Sequence, residues 1–86
     1  MHDLRILEAA EDDLRRLDRS VARRIISRIQ WLAEHFDNLK PEPLTGTLSG
    51  FFKLRAGDYR IIYKVRKDEN LIVVHRIGHR REVYKL

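Results

Sequence analysis

The sequence predicts an α+β fold: a short N-terminal strand, a two-helix hairpin, and an antiparallel β-meander on which the hairpin packs. Three observations carry this expectation. Apolar residues from Ala10 to Phe36 recur at steps of three and four, the period of one helix face. After Gly50 the period drops to two, as in strands with one buried side. Only short polar turns separate the later apolar runs, and short turns join antiparallel neighbours. A chain of 86 residues is expected to form one domain, 1–86.

The elements follow in order. Leu4 and Ile6 alternate with polar neighbours and predict the first strand. Ala10, Leu14, Leu17, Val21, Ile25, Ile29, Leu32 and Phe36 then form one apolar stripe, with Arg15, Arg16, Arg23, Arg24 and Arg28 off it. Asp18-Arg19-Ser20 breaks the run, with Ser20 expected as the N-cap of the second helix. The helices are expected over 8–18 and 21–36. Asn38, Pro41 and Pro43 stop the second and open a loop. Phe52 and Leu54 alternate with Phe51, Lys53 and Arg55, and Ala56-Gly57-Asp58 reads as a tight turn. Tyr59, Ile61, Tyr63 and Val65 alternate with Arg60, Ile62, Lys64 and Arg66. After the turn Lys67–Asn70, a third run from Leu71 to Ile77 ends at Gly78 and gives way to a tail.

Composition narrows the function classes. Without cysteine there is no disulfide framework, iron–sulfur cluster or thiolate zinc site. No apolar run approaches the roughly 18–20 residues that span a bilayer, and the N-terminus lacks a signal-peptide core. A cytoplasmic protein with no membrane partner is expected. The net charge of +5 is unevenly spread. Residues 1–43 carry 8 basic and 9 acidic side chains, and residues 44–86 carry 10 and 4. A positive field on one half attracts polyanions, although a merely solvated basic surface has the same composition.

Strand alternation places Lys53, Arg55 and Arg60 on the open face of the sheet. A tail folding back over that face would add Arg80 and Tyr84, making a basic pocket with an aromatic rim. Arginine forks match phosphate, and an aromatic ring offers a stacking platform for a base. Crowded cations favour loss of a proton from one of them, which suits Lys53 to act as a base. Blander assignments stand beside these. Lys53 and Arg55 also suit solvated strand positions that discourage edge pairing. Arg80 and Arg81 also suit a plain basic tail, and Tyr84 an aromatic lid on the core. Tyr59 and Tyr63 share the apolar face and read as core. Trp31 lies beside the helix stripe, half-buried or on a partner surface. His75 and His79 are four apart in a strand-to-turn context and lack a third ligand, so no metal or other cofactor is expected.

Residues 44–63, Leu-Thr-Gly-Thr-Leu-Ser-Gly-Phe-Phe-Lys-Leu-Arg-Ala-Gly-Asp-Tyr-Arg-Ile-Ile-Tyr, resemble the central hairpin of the RelE/ParE toxins of bacterial and archaeal toxin–antitoxin systems. Residues 76–84, Arg-Ile-Gly-His-Arg-Arg-Glu-Val-Tyr, resemble that family's C-terminal signature, closer to the RelE branch than to the gyrase-poisoning ParE branch. The resemblance implies a RelE-like fold and a metal-independent endoribonuclease. Such an enzyme enters the ribosomal A site and cuts mRNA by attack of a 2′-hydroxyl on the scissile phosphate. It implies Lys53 as general base, Arg55 and Arg60 as phosphate clamps, Arg80 as acid or leaving-oxygen stabiliser, and Tyr84 as a stacking ring. His79, Arg81 and Lys85 are expected as further RNA contacts. The best-known member carries a lysine two positions before the one matching Lys53, and Phe51 stands there in this chain. The resemblance also implies a RelB-like antitoxin with an acidic wrapping segment, and the ribosome with its mRNA as target. The competing classes are a gyrase inhibitor without chemistry of its own and an inactive RNA-binding member.

Overall fold

The computed structural model describes residues 1–85, without the side chain of Lys85. In chain order the elements are β1 (Asp3–Ile6), α1 (Glu8–Arg15), α2 (Arg19–His35), β2 (Glu42–Pro43), β3 (Phe52–Ala56), β4 (Tyr59–Arg66) and β5 (Leu71–His79). Single 3-10 turns occur at Phe36–Asn38, Gly46–Leu48, Lys67–Glu69 and Val83–Lys85. The expected α+β architecture is present, as one five-stranded mixed sheet in the order β1-β5-β4-β3-β2.

The hairpin breaks slightly earlier than expected. α1 ends at Arg15, and Asp18, not Ser20, caps α2 in an extended conformation. The carbonyl of Asp18 accepts the first α2 bond from the Ala22 N–H (2.9 Å), so Arg19 and Ser20 join the first turn. Both Asp and Ser are good stop residues, and spacing alone does not choose between them. Two further differences concern the sheet. Glu42 and Pro43, expected in a loop, pair with Lys53 and Phe52 as a two-residue edge strand, a place where proline costs no ladder bond. β1 runs parallel to β5, with Leu4 opposite Ile72 and Ile6 opposite Val74. The sheet is therefore not purely a meander. β5 also continues one residue past Gly78 to His79, which pairs with Tyr59.

The core lies between α2 and one face of the sheet. Ile25, Ile29, Leu32 and Ala33 meet Leu54, Ile61, Tyr63, Ile72, Val74 and Ile77, with Ala10 of α1 closing one side. Phe36 and Phe52 flank the Tyr63 ring at 6.4 and 5.7 Å. Burial, with Glu42 adding to it, pushes the Tyr63 hydroxyl up to about 12. Two turns set the strand register. Gly57 (φ 61°) makes the β3–β4 turn with Asp58, and Asn70 (φ 54°) adopts the left-handed conformation before β5.

Between Ile62 and Tyr63 the β4–β5 register slips. Ile62 faces Arg76 whereas Tyr63 faces Val74, leaving His75 as the extra residue of a bulge. The bulge lets Val74 and Ile77 both face the core although three positions separate them. Beyond the reach of β1, α1 takes over the outer edge of β5. Asp13, only 7 % exposed, accepts the Ile77 N–H on Oδ2 (2.9 Å). It also accepts Arg76 Nε and Nη2 on its two oxygens, both at 2.9 Å. Burial alone would raise the Asp13 pKa, but these bonds and the charges of Arg76 and Arg16 outweigh it and hold the carboxyl below its usual range.

Candidate functional site

The sheet face turned away from the helices carries the expected cations. Register places Glu42, Lys53, Ile62 and Arg76 side by side in one row across β2, β3, β4 and β5. The next row holds Arg55, Arg60 and Gly78. Lys53, Arg55 and Arg60 line one cleft of about 190 Å³, with Glu42 at its edge. The lysine Nζ lies 3.9 Å from a Glu42 carboxylate oxygen.

Arg60 folds back on the turn that ends its own hairpin, donating from Nη1 to the carbonyls of Gly57 and Tyr59, both at 2.9 Å. Arg80 comes to the same turn. Its N–H donates to the Asp58 carbonyl (2.8 Å) and its Nε lies 4.0 Å from the Asp58 carboxylate. One two-residue turn thus anchors the guanidinium-bearing segments of both arginines. Arg80 is about half exposed and lies at the rim, outside the residues that line the cleft.

The tail does return over the outer face. Val83 is 3 % exposed and, with Phe51, Ile62, His75 and Arg76, encloses a mostly apolar cavity of about 250 Å³. Tyr84, the next residue, is 41 % exposed and does not line the Lys53 cleft. Arg81 is exposed, and its N–H donates to His79 Nδ1 (3.2 Å). His79 itself is not brought to Lys53. It pairs with Tyr59 on the helix-facing side, ring to ring at 5.8 Å, and lines a separate cavity with Asp13 and Arg16. The side chain of Lys85 lies outside the described residues.

A wider concavity, about 400 Å³, lies between α2 and the β3–β4 hairpin. Tyr59, expected as core, is only partly buried and forms one of its walls. Arg24, Arg28 and Arg55 also line it, so Arg55 belongs to both clefts. Arg28 donates from Nε to the Arg55 carbonyl (3.1 Å) and lies 4.1 Å over the Trp31 ring.

Two positions were passed over in the sequence. Asp13 was hidden among the acidic residues of α1, where nothing distinguishes a buried carboxylate from a solvated one. His75 was weighed only as a metal ligand with His79, and the bulge that sets it apart shows in its pairing with β4. Its ring meets Phe51 edge-on at 4.9 Å. Burial, then the nearby Lys64 charge, lowers its pKa from the usual 6.5.

Comparison with known proteins adds three findings. Residues 4–84 match the family described as the ParE toxin of the type II toxin–antitoxin system parDE. The toxin RelG of Mycobacterium tuberculosis is 34% identical over 44 residues, which is 51% of this chain and 51% of RelG. The alignable part thus spans about half the length of that curated relative. Among solved structures, a RelBE toxin–antitoxin complex of Mycobacterium tuberculosis is similar at TM-score 0.82 and 24% identity, over 91% of this chain and 90% of the other. The isolated E. coli RelE toxin matches at 0.72 and 22%, over 92% and 84%. An archaeal RelE–RelB complex of Pyrococcus horikoshii matches at 0.68 and 23%, over 92% and 94%. At such identities the likeness shows a shared fold.

Proposed function

Because this chain belongs to the RelE/ParE family of type II toxin–antitoxin toxins, we propose that it is a ribosome-dependent mRNA endoribonuclease held in check by a RelB-like antitoxin. The supporting observation is the cleft that gathers Lys53, Arg55 and Arg60 on one face, with Arg80 tied to the adjoining turn. Fixed cations of this kind stabilise the extra charge that a phosphate gains when a 2′-hydroxyl attacks it. Tyr84, exposed beside the tail, is placed in this proposal as the ring on which a base stacks.

Glu42, Lys53, Arg55 and Arg60 line the cleft and supply charge, whereas cleavage also needs the sugar–phosphate backbone brought into line for attack. Such alignment is worth about 7–11 kcal/mol, and a ribosome that splays the A-site codon would supply it. Naked RNA should accordingly be cut slowly or not at all. The antitoxin part of the proposal rests on family membership and on the basic outer face, which suits an acidic wrapping segment.

The test is induced expression with labelled amino acid and labelled thymidine followed in parallel, and mRNA ends mapped from the same cells. Amino-acid incorporation is expected to stop first, with new ends inside coding regions. Arg80→Ala should keep its circular dichroism spectrum and lose most of this effect, since one preorganised charge stabiliser is typically worth on the order of 10²–10³ in rate. Early collapse of thymidine incorporation with DNA breaks would instead establish a gyrase poison.

A further inference from the structure

We infer that Lys64, held over the ring of Phe51, is a further RNA contact of the outer face and takes the phosphate next to the one in the Lys53 cleft. This rests on the ribonuclease reading above and extends the substrate's footprint by one nucleotide along the sheet.

Register places the pair. Across β3 and β4, Phe52 faces Tyr63 and Lys53 faces Ile62. Phe51, the residue before β3, and Lys64, the residue after Tyr63, therefore stand opposite each other. Alternation puts Phe51 on the side of Lys53 and Arg55, and Lys64 on the side of Arg60 and Ile62. Phe51 accordingly lines the outer-face cavity with Ile62 and Val83. Lys64 is exposed, yet its Nζ lies 4.4 Å over the Phe51 ring. Its ammonium thus leans across from β4 to β3. Along that side of β3 every second residue now carries a positive charge. Arg55 and Lys53 bear their own, and Phe51, about 7 Å further along the strand from Lys53, bears that of Lys64. Lys53 leans the other way, toward Glu42 of β2 at 3.9 Å. The two ammonium groups therefore do not converge on one phosphate. A single strand of RNA laid along β3 meets them in turn, each with a phosphate of its own.

The partners of the cations separate Lys64 from its neighbours. Lys53 has Glu42, Arg76 has Asp13 and Arg80 has Asp58 within 4.0 Å. Among the described residues no carboxylate comes that close to Lys64. An aromatic face attracts an ammonium group without cancelling its charge. Phe51 thus holds the amine in place while its donors stay available. Lysine is a compact point charge with three donors, which suits a phosphate oxygen approached from one side. Contacts of this kind set the register of a nucleic acid and leave base identity unread. Val83 packs into the cavity that Phe51 lines, and the exposed Tyr84 follows it in the chain. A strand continuing past Lys64 therefore runs toward the end of the sheet that carries the proposed stacking ring.

The experiment measures cutting of mRNA on programmed ribosomes, where the codon fixes the register. Wild type, Lys64→Gln, Lys64→Arg and Phe51→Leu are compared, each with its melting temperature. The mRNA carries either a normal backbone or one uncharged methylphosphonate linkage, on one side or the other of the scissile phosphate. Lys64→Gln should lower kcat/KM about tenfold, chiefly through KM, and Lys64→Arg should restore most of it. Removing the charge from one of the two neighbouring linkages should cost wild type a similar factor and cost Lys64→Gln little more. Phe51→Leu keeps the charge but frees it, and should fall between wild type and Lys64→Gln. Binding of a 2′-O-methyl single strand, which cannot be cut, reads the contact independently of catalysis. There Lys64→Gln should take about 0.7 off the log–log salt slope. An unchanged slope overturns the inference, as does equal sensitivity of wild type and Lys64→Gln to both altered linkages. A lowered melting temperature in Lys64→Gln with unchanged kcat/KM assigns the pair to cross-strand packing and also overturns it. If wild type cuts no ribosome-bound mRNA, the ribonuclease reading itself is lost. If wild type cuts and Lys64→Gln matches it, only the role of Lys64 is lost.

Discussion

Asp13 does the work of a missing strand. Its carboxylate takes the Ile77 N–H that a sixth strand would have taken, and it fixes Arg76 with two parallel bonds. Replacing it by alanine leaves a guanidinium and a backbone donor without partners, an expected loss of about 2–4 kcal/mol in urea unfolding. The same residue sets an acid limit. Its folded pKa lies below the usual 3.8, so its contribution is fully present above that pH and is lost as pH falls through the folded value. His75 acts in the same direction at higher pH. Its folded pKa lies below 6.5, the unfolded chain binds the proton first, and stability declines as pH drops from 6.5. Unfolding free energy followed from pH 8 downward is therefore expected to fall in two stages. His75→Gln should remove the first and Asp13→Asn the second. A single stage unchanged by either substitution would contradict this assignment.

Arg28 plays the corresponding part at the scale of elements, tying α2 to the last open stretch of β3. Arg28→Ala removes its bond to the Arg55 carbonyl and its seat over Trp31, at an expected cost of about 1 kcal/mol. Faster hydrogen exchange confined to β3 would report the loosened edge, and unchanged exchange there would show that Arg28 carries no load. The pattern of elements was largely legible because burial imposes a period. The stripe from Ala10 to Phe36 and the alternation after Gly50 each record one dry face. Lys53, Arg55 and Arg60 were legible for the same reason, being the wet half of the alternation. Features that depend on partners distant in sequence were not. Nothing in Leu4 or Ile6 says that their neighbour is β5 or that the two run parallel. Glu42 and Pro43 carry no strand signal, and become a strand only because Lys53 and Phe52 offer an edge. His79 was expected as an RNA contact next to Arg80, and its pairing with Tyr59 puts it on the helix-facing side.

Taken whole, the molecule measures 33 × 28 × 22 Å and carries its excess positive charge in the half of the chain that builds β3, β4 and β5. Contact with a nucleic acid through Lys53, Arg55, Arg60 and Arg80 would release about one counterion for each phosphate met. Binding of a single-stranded RNA blocked by 2′-O-methyl groups is therefore expected to weaken with salt, at a log–log slope of about −2 to −3. Arg55→Ala should take about 0.7 off that slope, and a slope near zero would exclude the outer face as the RNA surface. The link between Asp13 and Arg76 has another consequence, for the making of the protein. Those residues are 63 positions apart, and β1 likewise waits for Leu71–Val74 before it has any neighbour in the sheet. During synthesis the helices emerge first, yet the face that buries Ile25, Ile29 and Leu32 is incomplete until β5 is made. Chains whose stabilising contacts lie this far apart pay for loop closure before any contact rewards it, and they fold late. The nascent polypeptide accordingly has no assembled cleft while β5 is still being translated. A partner present at that moment meets a folding chain before it meets a finished toxin.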